Sequence, residues 1–484
     1  MGLIQVKSSA PSLVDHRLMS NRRHLQVVHR STTAIEDIPQ LAELGTPNYG
    51  TYPSVLEFAP GIGPQHTLDE IHRTNQEPIP APLSIYLHLP FWAVADSHGG
   101  GDRVVSRGRR RDGRYLELLS REIELSAAPF DSDRPVIQLH FGGRATNSLR
   151  PDELAQLIHE MRRCLSIAPD CEISMEVDPC QYQSGDAPIW AALGFNRLSL
   201  GVHDLDPSNQ HAINRVRAAG MVAETVAEAR EAGIRRIGFD LIHGQSKPTR
   251  KGASSVLGLV EQLRPERVIA SACTHMPLRI CEKQAQVRLP EGSTHLEIQH
   301  RYARELGALG YRHIGLGHFA VPEDELSRAL ADGSLLRNIH GYSTHAGGDI
   351  IGLGLSAVSS IGRLYTRNHT VLRSYAQAIT AGRLPTALGH LRSDDDLLRF
   401  AIMQKIICRQ RLEFAEFVPD GAFAQGFAND LDRLRQLDPT GALMHITSSS
   451  LIIRPAGEHA LHQIAHCFDR YAHDRDSDEL ARAV

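Results

Sequence analysis

Between residues 83 and 272 the chain alternates short apolar runs with longer stretches in which apolar residues recur every three or four positions. The runs are LSIYLHL, VIQLHF, EISMEV, RLSLGV, RIGFDLI and RVIASA. Near-continuous apolar character over about five to seven residues suits a parallel strand covered on both faces. The stretches between them, YLELLSREIELSAA, PDELAQLIHEMRRCL, MVAETVAEAREAG and SSVLGLVEQL, have helical spacing. Pro151 with Asp152 and Glu153 suits a first helical turn: proline lacks an N–H that would go unpaired there, and acids favour the positive end of the helix dipole. Gly233 suits a helix stop. Six strand–helix units in series predict an α/β fold, a partial or complete (β/α) TIM-like barrel. Chemistry in such a fold gathers at the C-terminal ends of the strands. Those ends carry Pro90 to Trp92, Gly142 and Gly143, Asp178, Val202 to Asp204, and the residues after Asp240.

On either side the pattern changes. Residues 1–75 show weak periodicity punctuated by Pro, Gly and Ser, and read as an irregular N-terminal extension ahead of a barrel domain over 76–385. Residues 386–484 read as a mainly helical C-terminal domain, winged-helix-like, serving as a lid, a partner surface or packing, with lid or packing favoured. DDDLLRFAIMQKIICRQRLEF and FANDLDRLRQL have amphipathic helical spacing, SSSLIIRP reads as a short strand, and GEHALHQIAHCFDRY as a last helix.

Composition narrows the class without naming a chemistry. A chain of 484 residues, 42% hydrophobic and 22% charged, is ordinary for a globular protein. A net charge of −4 argues against a general nucleic-acid binder. No apolar run approaches the roughly 18 residues a membrane span needs, and the N-terminus lacks the apolar core of a signal peptide, so a cytoplasmic location is expected. The seven cysteines are odd in number and form no CxxC or CxxxC pair, which fits reduced thiols. The 26 histidines are scattered and make no HExxH, so most read as surface or packing residues.

Ten blocks in order give the sharper signal: YGTYPSVLEF, IYLHLPF, LHFGG, EVDP, LGFNRLSLGVHDLDP, AINRV, FDLIHG, YRHIGLGHFAVPEDEL, GSLLRNIHGYST and IGLGLSAVSSIG. With them the chain resembles the oxygen-independent coproporphyrinogen III oxidase family of radical S-adenosylmethionine (SAM) enzymes. The resemblance implies a barrel of the radical SAM type and a role in haem (porphyrin) biosynthesis. The family's reaction is the oxidative decarboxylation of coproporphyrinogen III to protoporphyrinogen IX, started by a radical from SAM that a [4Fe–4S] cluster cleaves. In the family the loop after the first strand reads HIPFCxxxCxxCxC, and its first three cysteines hold the cluster. The matching positions here are Trp92, Asp96 and Gly99, with Gly101 at the fourth cysteine. Tryptophan and glycine offer no donor, and one carboxylate does not replace three thiolates. The cluster is therefore expected to be absent, and His88 and His98 nearby do not restore it.

Other positions implied to contact SAM survive in part: Tyr86, Gly142, Gly143, Glu176, His203, Arg215 and Asp240. Departures stand among them. GGRATN replaces GGGTPT and puts Arg144 where the family leaves room for the methionine part of SAM; His203 replaces a glutamine; DLIHGQSKPT replaces DLIYGLPxQT; and Gly317 replaces an aspartate. No catalytic residue is assigned. Three readings stay open: a non-catalytic family member that binds a porphyrin, haem or SAM-like ligand; an active dehydrogenase with unusual cluster ligands; and an interaction or scaffold protein.

Overall fold

The structure is a computed structural model describing residues 49–92, 104–105, 109–143, 146–203, 218–243, 250–272, 292–345, 347–418 and 422–472, all within one compact unit, Pro39–Val484. Twelve strands form its main sheet. Six run parallel in chain order: β1 (Leu83–His88), β2 (Pro135–Gly142), β3 (Ser166–Val177), β4 (Arg197–His203), β5 (Arg236–His243) and β6 (Arg267–Ala272). The others are β7 (Arg312–Gly315), β8 (His318–Ala320), β9 (Asp349–Leu353), β10 (Val358–Ile361), β11 (Leu364–Asn368) and β12 (Thr386–Leu391). The order is β12-β11-β10-β9-β1-β2-β3-β4-β5-β6-β8-β7. β9 joins β1 in parallel, whereas β10 to β12 and the β7–β8 pair are antiparallel. With β12 and β7 as its edges the sheet is an open, partial barrel.

The helices are α1 (Pro64–Asn75), α2 (Arg109–Ala127), α3 (Pro151–Cys164), α4 (Asp186–Leu193), α5 (Ala218–Glu231), α6 (Arg250–Leu263), α7 (Gly292–Ala308), α8 (Glu325–Asp332), α9 (Leu372–Thr380), α10 (Asp394–Arg409), α11 (Phe423–Gly426), α12 (Ala428–Leu437) and α13 (Leu461–His466) among the described residues. One face of the central strands is apolar: Leu87, Phe141, Met175, Leu200, Phe239 and Val268 are buried in one core with Leu119, Leu157, Val226 and Val260 of the helices. The other face is polar. Side chains alternate across a strand, and the register sets Tyr86 beside His140, His140 beside Ser174, Glu176 beside Ser199, and Gly201 beside Asp240. The runs that suited strands apolar on both faces are thus two-sided, with a polar row lining the barrel.

At the N-terminal end that row closes in an ion network. Arg197 reaches Glu172 at 2.7 Å and Glu325 at 2.5 Å, while Arg267 reaches Asp324 at 3.0 Å and Glu325 at 2.6 Å. Burial opposes ionisation of Glu172, but Arg197 and Arg267 outweigh it and hold the carboxyl down at about 2.

α1 lies inside the stretch expected to be irregular. Its buried face is Thr67, Glu70, Ile71 and Thr74, so a mainly polar helix face carries too little apolar periodicity to be recognised. Beyond the barrel, α10 is capped by Ser393, whose hydroxyl accepts from Asp396 N–H while Asp396 accepts from Ser393 N–H. A three-stranded antiparallel sheet of 411–413, 444–446 and 450–453 follows, of which only the last strand was expected.

Candidate functional site at the barrel mouth

The C-terminal ends of β1 to β3 converge on a column of rings. Tyr86 stacks on His88 and His140, with centroids 5.8 and 5.6 Å away, and on His340 at 4.5 Å. Its hydroxyl lies 3.1 Å from His88 Nδ1. His340 arrives from outside the barrel, on the turn of a hairpin pairing Leu336–Asn338 with Gly341–Ser343. That hairpin is tied to α10, where Gln404 Oε1 accepts from Arg337 N–H at 3.0 Å and Ile407 O accepts from the Tyr342 hydroxyl at 3.4 Å. Burial pushes His340 down to about 3, with His140 adding to the shift, so its imidazole is neutral at ordinary pH.

The glycine pair is explained by neighbours within the chain. A Cβ on Gly142 would meet the Tyr86 ring and hydroxyl at 2.5 Å. Gly143 has φ +119°, and a Cβ there would lie 2.1 Å from Leu89 O. Its N–H donates to Glu176 Oε2 at 3.2 Å. Glu176 Oε1 stands 3.6 Å from His140 Nε2, and His140 Nδ1 lies 2.8 Å from Ser174 Oγ. The turn is pinned further on: Thr146 donates to Phe141 O at 3.0 Å, and Asn147 makes reciprocal bonds with the backbone of Asp178 at 2.9 and 3.0 Å. Two strands away, Asp240 accepts from Ser199 Oγ at 2.7 Å.

Tyr86, Gly142, Gly143 and Glu176 therefore meet in one contact chain, and Asp240 continues the same polar row. His203 ends β4, and Trp92 lies in a two-residue strand, 91–92, paired with 104–105; only their backbone is described. Asp96, His98, Gly99, Gly101, Arg144 and Arg215 lie outside the described residues. Gly317, which replaces an acid of the family pattern, has φ +76° and brings its would-be Cβ within 2.4 Å of Ala270 O, so the turn has no space for a side chain. Reading by residue missed His140 and His340. The alternation in VIQLHF was the available signal for His140, whereas His340 is delivered by tertiary packing alone.

The open barrel, with a glycine turn and an acid at its strand exits, matches a solved radical SAM enzyme. Coproporphyrinogen III oxidase from Escherichia coli, a solved radical SAM enzyme, superposes with a TM-score of 0.80 at 32% identity, covering 87% of this chain and 97% of that one. The oxygen-independent coproporphyrinogen III oxidases of Pseudomonas aeruginosa and Escherichia coli are each 33% identical, over 93% and 88% of this chain and 98% and 93% of theirs. The chain belongs to the oxygen-independent coproporphyrinogen III oxidase family. No protein-family model matches it. Among the described residues no helix is long and apolar enough to cross a membrane.

Proposed function

We propose that this chain is a haem-pathway member of its family that binds a propionate-bearing porphyrin at the barrel mouth and has given up radical chemistry. The carrying observation is the segment 92–101, where Trp92, Asp96, Gly99 and Gly101 stand at the family's thiol positions. No cysteine precedes Cys164. A [4Fe–4S] cluster is held by thiolates, and the donor set does not fit it. Burial pushes the thiols of Cys171, Cys408 and Cys467 up to about 12, the reverse of what a metal-binding thiolate requires. Without a cluster no electron reaches the SAM sulfonium. This loss is complete, unlike the factor of about 100 to 10,000 that follows removal of one general acid or base.

Anion binding is supported by what the β1–α2 connection carries instead. Residues 103–114 hold six arginines against one aspartate. Arg109, Arg110 and Arg111 open α2. Cations at that end oppose the helix dipole, and an anionic ligand relieves the conflict. Guanidinium groups suit carboxylates such as porphyrin propionates. SAM is the second ligand of this reading, with Tyr86, Glu176, Asp240, His203 and Arg215 at the positions the family uses for it and Arg144 in place of a family glycine.

Titrating the full chain with coproporphyrin III and, separately, SAM tests the reading. Saturable porphyrin binding that weakens with salt and in Arg109→Ala/Arg110→Ala/Arg111→Ala is expected. Absence of saturable binding by either compound would leave the scaffold reading in its place. Release of 5′-deoxyadenosine from SAM under reductant would make the chain an active enzyme.

A further inference from the structure

A second polar cluster lies on the far side of β1 from the ring column. Tyr115 and Glu122 are two turns apart on one face of α2. Glu122 is 1% exposed. Its Oε2 accepts from Gly354 N–H at 2.8 Å and from the Tyr375 hydroxyl, and its Oε1 accepts from Asn368 Nδ2 at 2.7 Å. Tyr115 donates to His88 O at 3.0 Å and accepts from Leu355 N–H at 3.0 Å. Gly354, just past β9, has φ +106°, and a Cβ there would lie 2.5 Å from His88 O. One carboxyl and one phenol on α2 thus hold the exits of β1 and β9 against each other.

The titratable groups facing Glu122 are Tyr375 from α9 and Tyr115 from its own helix, both held neutral by burial. The β9–β10 turn and β11 contribute the neutral donors Gly354 and Asn368, and β1 contributes the carbonyl of His88, whose ring bonds to Tyr86 instead. The acid is surrounded by hydrogen bonds, and among the described residues no cation is one of the groups that act on it. We propose that Glu122 is a proton-operated clamp on the mouth: one bound proton tightens the joint between the β1 and β9 exits, and its loss loosens that joint. The clamp goes beyond the ligand reading and stands whether or not a porphyrin binds.

Burial raises the Glu122 carboxyl to about 7, with its three donors pulling the other way. The closed joint therefore keeps its proton up to about pH 7, while an opened joint releases it near the ordinary value of about 4.5. Opening becomes easier with pH across that window by up to about tenfold per unit, roughly fortyfold from pH 5 to 7, and levels off above it.

Hydrogen exchange of the full chain, corrected for intrinsic pH dependence, tests this at segments covering 86–90 and 352–356, with 428–437 as a remote control. Exchange at the first two segments should rise roughly fortyfold from pH 5 to 7 and then flatten, and Glu122→Gln should abolish the rise. No rise in the wild type, or an equal rise in the variant, overturns the clamp. Infrared titration keeps the test decisive if the variant does not fold. The wild type should show a protonated carboxyl band lost near pH 7, and Tyr375→Phe, which removes one donor, should move the midpoint higher. A midpoint confined to the ordinary carboxyl range overturns the clamp.

Discussion

Replacing Gly143 by alanine asks whether the glycine turn answers to the chain's own backbone or to a ligand. At φ +119° an alanine is strained, which costs about 1–3 kcal/mol. Its Cβ would sit 2.1 Å from Leu89 O, and the contact is with backbone, so no side chain can swing aside. Leu89 is itself fully buried, and its N–H is bonded to Gly142 O at 2.9 Å, so the two segments must part together. Overpacking of that kind adds about 1–3 kcal/mol, and the N–H bond to Glu176 is lost or stretched as the turn moves. Gly143→Ala should therefore destabilise the ligand-free protein by about 3–5 kcal/mol. Gly233→Ala is the matched control, because Gly233 has φ +94° with nothing near its would-be Cβ, and should cost only about 1 kcal/mol. Urea unfolding of both variants without ligand measures the difference. Equal midpoints would refute the argument, since backbone strain without the Leu89 contact would then account for both.

Three further outcomes are expected. Arg134 is buried, pairs with Asp349 at 2.7 Å and donates to Ala81 O, so Arg134→Met should cost about 3–5 kcal/mol by stranding the aspartate, read as a lowered melting temperature. Glu172 is held at about 2, below its unfolded value of 4.5, so its contribution of about 3 kcal/mol is complete above pH 4.5 and fades as pH falls toward 2. Glu172→Gln should thus melt lower at pH 7 and show a flatter loss of stability between pH 4.5 and 2. Tyr86→Phe removes one hydroxyl contact and keeps the ring stack, so it should cost about 1 kcal/mol in urea unfolding; a loss several times larger would mean the hydroxyl supports more of the column than His88.

Much of the barrel was written in its periodicity. RVIASA became β6 over the expected residues, and Pro151 and Gly233 stand at the helix ends their chemistry suggested. β3 runs six residues longer at its start than EISMEV, because SIAPDC is strand without an apolar pattern. β9 and β10 escaped notice because Gly352 and Gly354 break the run DIIGLGLSAVSS, yet each glycine is required by a close backbone contact. Tyr86, Gly142, Gly143 and Glu176 were legible through ordered motifs. The His340 stack was not, because a hairpin more than 250 residues away in sequence supplies it. The Glu122 cluster was hidden for a similar reason: a single acid in an amphipathic helix reads as solvated until three distant elements close over it.

Whether a segment with Trp92, Asp96, Gly99 and Gly101 at the family's thiol positions can seat an iron–sulfur core decides between the readings. Iron and acid-labile sulfide should be measured on the full chain after anaerobic reconstitution and removal of loosely bound metal. The expected result is no stoichiometric iron or sulfide, with no charge-transfer absorption from a cluster. About four irons and four sulfides per chain, stable to desalting, would contradict the account and return the protein to the active members of its family.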